Sequence, residues 1–217
     1  MTATEEDPAW KQRAVERSTK AAKQRAEQRV DRFLDAAQKI IGAKGSTDFT
    51  VQEIVEESRQ SLRSFYQHFD GKHDLLLALF EDALLQAAGQ IRATAALTAD
   101  PLERLGVAVR LLFEISRPDP SAQRPLFTDF APRLLFSHPD KVQSAHAPLL
   151  ELFTELMGQV EAAGRLRPGL RPRRAAALAM QTAMFIAQSS GPPEDDDPHT
   201  LTATEVWEFC ALGVTGR

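Results

Sequence analysis

From Val30 onward the apolar residues recur every three or four positions. Val30, Phe33, Leu34, Ala37, Ile40 and Ile41 fall on one stripe of a helix, which Gly42 and Gly45 are expected to close. Thr50 with Glu53 three residues later has capping-box spacing, so a short helix carrying Val51, Ile54 and Val55 should start there and end near Ser58. Ser61 can cap the next short helix, running through Phe69 with Leu62, Phe65 and Phe69 inward, before Asp70 and Gly71 break it. From Lys72 to about Ala96, Leu75, Leu76, Leu77, Leu79, Phe80, Leu84, Leu85 and Ile91 cover more than one face. A helix apolar on several sides is packed on several sides, so this one is expected to bridge the N-terminal unit to the rest.

The same periodicity continues to the end of the chain. Pro101 opens a helix with Leu102, Leu105, Val109, Leu112 and Phe113 on its stripe. Pro125 to Phe136 reads as a short helix or a pair of turns, and Pro139 to Ala163 as one long helix with Phe153, Leu156, Met157 and Val160 inward. Residues 171–189 and 202–213 give the last two helices, separated by Gly191, two prolines and the acidic run Glu194 to Asp197. No segment alternates with a period of two, so the fold class is all-α.

Composition narrows the function classes. The 217 residues are 43% hydrophobic and 26% charged, ordinary for a globular chain able to bury a core unaided. One cysteine, Cys210, allows no intrachain disulfide and fits a reducing compartment. With no apolar leader and no run long enough to span a bilayer, the expected location is cytoplasmic, with no membrane partner. The net charge of −4 hides an asymmetry: residues 11–32 set eight Lys and Arg against Glu16, Glu27 and Asp31. Residues 1–28 offer little but alanine for burial. They read as a basic arm, helical by propensity yet mobile until a polyanion binds it. Residues 29–72 then form one domain and residues 73–217 a larger one.

Three helices within residues 29–69, the second and third short and closely joined, are the arrangement of a helix-turn-helix unit. The outward face of the third would carry Arg63, Ser64, Tyr66 and Gln67, side chains suited to base edges or phosphates. The stretch from Ser61 through Phe65-Tyr66-Gln67-His68-Phe69 to Lys72, with Leu75 and Leu76 beyond and Thr50, Glu53 and Ile54 before it, resembles the DNA-binding signature of the tetracycline-repressor (TetR) family. The resemblance covers about residues 29–80. It implies base-edge contacts from Ser61, Leu62, Arg63 and Tyr66, and phosphate contacts from Thr50, Ser64, Tyr66, His68 and Lys72. One departure stands out: Arg59 occupies the turn position where the family usually has Gly.

For residues 73–217 the resemblance implies a ligand-binding and dimerisation domain, and so a homodimer on double-stranded, palindromic operator DNA, most often a repressor released by a small-molecule effector. Phe113, Phe127, Phe130, Phe136, Phe153, Met157, Met180, Met184 and Phe185 are large, adaptable side chains on different segments. If they converge they line a pocket for an apolar effector, with Arg133, His138, His146 or Gln181 as polar handles. The alanines at 175, 176, 177, 179, 183 and 187, with Trp207, Phe209 and Leu212, suggest that the last two helices form the dimer interface. The histidines are too scattered for a metal site, and no nucleophile elbow, phosphate loop or carboxylate pair stands out. No cofactor and no catalysis are expected. The alternative is a helical ligand-binding or enzymatic protein that does not bind DNA.

Overall fold

The structure, a computed structural model, describes residues 8–117, 130–131, 134, 138–190 and 200–215. These residues contain helices and no strand. In chain order the helices are α1 (Ala9–Lys44), α2 (Val51–Ser58), α3 (Leu62–Tyr66), α4 (Lys72–Ala95), α5 (Pro101–Ser116), α6 (Pro139–Ala145), α7 (Ala147–Ala162), α8 (Pro172–Ser189) and α9 (Ala203–Thr215). The chain divides into two compact units. One comprises the residues up to Ala43 with Asp48–Leu75, the other Lys44–Thr47 with the residues from Leu76 onward.

In the first unit α1 is one helix of 36 residues, so the basic arm and the first core helix are a single element. Gly42 lies inside it, and the helix stops only at Lys44, before Gly45 at φ 64°. The C-terminal part of α1 buries Phe33, Ala37 and Ile41, whereas none of the described side chains of residues 9–29 is buried. Phe33 meets Phe65 edge-on at 5.5 Å and Phe69 at 6.0 Å, and Phe65 lies 5.5 Å from Phe69. Such aromatic packing gives about 0.5–1.5 kcal/mol per pair beyond area burial, which helps so small a core hold together. Lys39 and Glu57 form an ion pair between α1 and α2.

In the second unit α5, α7, α8 and α9 pack on one another. Helix α5 buries Leu105, Val109, Leu112 and Phe113, and α7, which packs against it, buries Leu149, Leu152, Phe153, Leu156, Met157 and Val160. The alanines of α8 do not lie on the outside. Ala175, Ala176, Ala179, Ala183 and Ala187 are buried within the unit, where their small size lets α8 approach α5 and α7. Trp207 is likewise no outward anchor: it is 6% exposed and packs over Gly106. A Cβ at Gly106 would sit 2.6 Å from the indole, so the glycine is what admits the ring.

Two expected helices are shorter than their periodicity suggests. Residues 139–163 form α6 and α7, interrupted at His146. Pro148 has no N–H to donate to Ser144, and its ring clashes with the carbonyl four residues back, so the helix restarts rather than continues. Helix α3 stops at Tyr66, and the chain reaches Phe69 through a turn in which the amides of His68 and Phe69 both donate to the Phe65 carbonyl. The residues of the expected helix from Pro125 to Phe136, apart from 130, 131 and 134, lie outside the described residues, as does the acidic run 194–197.

Candidate nucleic-acid interface

The second and third helices are fixed at their starts by side chains. The Thr50 hydroxyl accepts the Glu53 amide at 3.2 Å, and the Thr50 amide donates to the Glu53 carboxylate at 2.8 Å, completing the capping box that starts α2. Ser61 Oγ accepts the Ser64 amide at 3.1 Å and starts α3. Between them the chain turns at Arg59, whose φ of 54° and ψ of 36° place it in the left-handed region. The Arg59 amide donates to the Glu56 carbonyl and the Gln60 amide to the Val55 carbonyl, so the carbonyls ending α2 are satisfied in the manner of a Schellman turn. Arg59 thus takes the conformation a glycine would take, with the strain a Cβ brings.

Caps and core together decide what α3 presents. Phe65 is fully buried, which leaves Leu62, Arg63, Tyr66 and Gln67 exposed on the opposite side. Tyr66 is 56% exposed and its ring stands edge-on to Phe65 at 5.4 Å, so the phenol is braced against the core while much of it stays exposed. The arrangement offers one guanidinium, one phenol and one apolar side chain on a single short helix, with the Gln67 amide at its C-cap. That set can hydrogen-bond base edges and phosphates and contact a thymine methyl.

The residues expected at phosphates are arranged less uniformly. Thr50 is exposed, although its hydroxyl is engaged in the cap. Lys72, in the first turn of α4, sits 4.9 Å above the Phe49 ring and 3.7 Å from the Asp48 carboxylate. Asp48 is almost fully exposed, so this pair is screened and gives way readily to a phosphate, which would also meet the free amides of the α4 N-terminus. Ser64 and His68 differ: Ser64 Oγ and His68 Nε2 are buried and have no hydrogen-bond partner among the described residues.

The residues expected to bind an effector are core residues of the second unit. Phe113, Phe153 and Met157 are fully buried, Phe130 and Met180 nearly so, and Met184 is half-buried; Phe127, Arg133 and Phe136 lie outside the described residues. Gln181 is exposed on α8, so it is no handle in an interior pocket, and Phe185 is 73% exposed. His146 is half-buried, with Nδ1 at 2.7 Å from the Val142 carbonyl and its ring 5.6 Å from Phe80; burial lowers its pKa below the ordinary 6.5. His138 is also half-buried. No cluster of metal-ligating side chains and no helix long and apolar enough to cross a membrane occurs among the described residues.

Known proteins match in two ways. Residues 33–79 match the family described as bacterial regulatory proteins, tetR family. The HTH-type transcriptional regulator BetI of Brucella anthropi is 32% identical over 85 residues, a match spanning 39% of this chain and 44% of that protein, less than half of either. Over nearly the whole length, the fold is similar to the fatty acid degradation regulator FadR from Bacillus halodurans, with a TM-score of 0.61 at 18% identity over 87% of this chain and 95% of that one. It is also similar to FadR from Bacillus subtilis in complex with stearoyl-CoA, with a TM-score of 0.56 at 16% identity over 86% and 98%. The matched stretch runs from Phe33 in the aromatic core, through both capped helices and the exposed face of α3, to Leu79 in α4, and over that stretch the chain is similar to the TetR family of bacterial regulatory proteins.

Proposed function

We propose that this chain is a homodimeric transcriptional regulator that binds a palindromic operator through α3 and leaves it when an apolar small molecule binds the second unit. The observation that carries the reading is the exposed stripe of Leu62, Arg63 and Tyr66 on a helix capped by Ser61 and pinned by the buried Phe65. Nothing in the core of the first unit requires those side chains outside, whereas a reader of DNA does. Repression is the expected mode, since a bound dimer occludes the DNA it covers. An apolar effector suits a second unit whose interior is built of phenylalanine, methionine and leucine. The stearoyl-CoA carried by the Bacillus subtilis protein, a long apolar chain on an anionic head, is the kind of molecule to try first.

The test is selection of binding sequences from a random duplex pool by the pure protein, followed by titration at several salt concentrations. Affinity should fall with salt at a log-log slope of roughly −0.9 per phosphate neutralised. Arg63→Ala should cost about 1–3 kcal/mol and relax the preference at one position, while Lys72→Ala should weaken all sequences alike and reduce the slope by about one. A slope near zero, or an unenriched pool, would sink the reading.

A further inference from the structure

Helix α1 sorts its charges onto separate faces. Its acids, Glu16, Glu27, Asp31 and Asp35, fall within about 100° of the helix circumference. Another arc of about 80° carries Lys11, Arg25, Arg29, Arg32 and Lys39, otherwise only alanine and serine, and no acid. Arg25, Arg29 and Arg32 thus follow one another at spacings of four and three, as Glu27, Asp31 and Asp35 do at spacings of four. Like charges at these spacings oppose the helix, whereas opposite charges would support it. The bases nearer the N-terminus are arranged in the supporting way: Arg13, Lys20 and Lys23 each have a glutamate three or four residues away, and Lys23 lies 3.7 Å from Glu27. Arg25 and Arg29 have no acid at those spacings, and Arg32 has Asp35 without pairing with it. All three arginines are exposed, and none forms an ion pair among the described residues. The helix itself gains nothing from this stripe, so its purpose lies with a partner of opposite charge.

The position of the stripe indicates which partner. Phe33 follows Arg32 and stands one turn after Arg29, and its ring meets Phe65 of α3 edge-on at 5.5 Å. Further along the same arc Ala36 is buried, and Arg32, Asp35, Ala36 and Lys39 line an open crevice with Glu57 and Ser58 of α2. Lys39 is engaged by Glu57 there, so the free part of the stripe ends at Arg32. Arg29 and Arg32 therefore stand on the helix that packs against α3, at the level of the contact. Packed helices have axes about 8–10 Å apart, and the major groove of B-DNA is about 12 Å wide. A duplex that takes α3 into its groove thus brings the strand beside the groove to about the distance of the neighbouring helix. Arg25 to Arg32 spans about 10 Å of helix, and one strand presents a phosphate about every 3.4 Å of duplex axis, so the three guanidinium groups match about three successive phosphates.

We propose that Arg25, Arg29 and Arg32 form a backbone clamp on α1, a DNA-binding face separate from α3 and α4 that grips the phosphates of one strand beside the groove α3 reads. The proposal rests on the reading of the chain as a DNA-binding regulator, and it adds a contact that carries affinity without sequence preference. All three residues precede Phe33, where the family match begins.

Two full-length variants with the same change in charge test it. One carries Arg25→Gln, Arg29→Gln and Arg32→Gln; the other carries Arg13→Gln, Lys20→Gln and Lys23→Gln. All six positions are exposed and glutamine suits a helix, so folding is preserved; circular dichroism and thermal unfolding check this. On the duplex that the parent enriches from a random pool, the first variant should bind on the order of ten- to a hundredfold more weakly at ~0.1 M salt, with a log-log salt slope smaller by about 2–3. The sequence it enriches should be the parent's. The second variant should lose far less, because glutamates already match its bases. Arg25→Lys with Arg29→Lys and Arg32→Lys should keep the parental slope, since lysine supplies the same charge to a phosphate. Equal losses in the two glutamine variants would reduce the effect to net charge and overturn the proposal. So would a first variant that binds like the parent or enriches a different sequence, or a lysine variant with the slope of the glutamine one. If the parent binds DNA and Arg63→Ala relaxes its preference while the first variant is unaffected, only the clamp fails; if the parent enriches no sequence and its binding ignores salt, the DNA reading fails with it.

Discussion

Arg59 alone among the described non-glycine residues has a positive φ, and it does so at the joint between α2 and α3. Its backbone amide is needed to close α2, so the strain cannot be relieved by opening the turn. Arg59→Gly should stabilise the protein by about 0.5–1 kcal/mol, the left-handed penalty less the added freedom of glycine in the unfolded chain. Urea denaturation measures it, and a destabilised variant would mean that the arginine side chain makes a compensating contact. The departure at this turn is legible in the sequence, because a capping box, a short helix and a second serine cap leave only two residues between. His146 makes the second residue-level prediction. Its pKa is lowered by burial, with the hydrogen bond to Val142 opposing, so between its folded value and 6.5 the unfolded chain binds more protons than the folded one. Stability should therefore fall as pH drops below 6.5, and the loss should be complete below the folded value. His146→Phe, which keeps a ring against Phe80, should remove that part of the pH dependence of thermal unfolding. The lowered carboxylates Asp100 and Glu205 titrate further into acid, outside this window. An unchanged profile would show that His146 is not the titrating group.

Helices were readable where one local signal set each boundary, and less so where two signals competed. Thr50 with Glu53, Ser61 and Pro101 each mark a helix start that the geometry bears out, and Asp100 adds a side-chain cap before Pro101. The apolar stripe across residues 139–163 outweighed Pro148, although a proline inside such a stripe is itself the sign of a break. The alanines of α8 and Trp207 were legible as packing material but not as to side, since small residues serve an interior contact as well as an outer one. Gly106 is the missing half of that signal, for it makes room for the indole across α5 and α9. Residues 9–29 of α1 show the opposite case: alanine and long charged side chains favour helix, but none of the described side chains is buried, so propensity alone holds the segment. Removing residues 1–28 should consequently leave thermal stability almost unchanged. If the basic residues of positions 11–28 reach the operator, the same truncation should lower DNA affinity and flatten the salt slope by about one for every phosphate the arm neutralises. Titration of both proteins on one operator at two salt concentrations decides this, and matching affinities would remove the arm from the interface.

At the scale of the molecule, the all-helical fold follows from periodicity, but the two faces on which the proposed function rests are those the periodicity does not bury. On α3 the exposed stripe was recoverable because a family signature assigns it. On α8 and α9 the exposed Leu178, Phe185, Phe209 and Leu212 emerge only once the core has claimed the other side of each helix. Four large apolar side chains between 63% and 73% exposed on two packed helices are more than a lone chain requires. If they join two copies, the reading of DNA becomes bivalent. One α3 would contact only a few base pairs, and the second half-site would then bind at the effective concentration set by the first, which raises affinity on the order of 10²–10⁴-fold without any new contact. Phe185→Asp with Phe209→Asp leaves the core intact, because both rings lie outside it, and places charge where the two copies would meet. The double variant should sediment as a monomer, lose on the order of 10²–10⁴ in affinity for a duplex with two half-sites, and keep the parental affinity for a duplex with one. Fluorescence anisotropy on the two duplexes gives both numbers. Equal losses on both would place these residues in the folding of the chain rather than between copies, and no loss on either would mean that each protomer reads DNA alone.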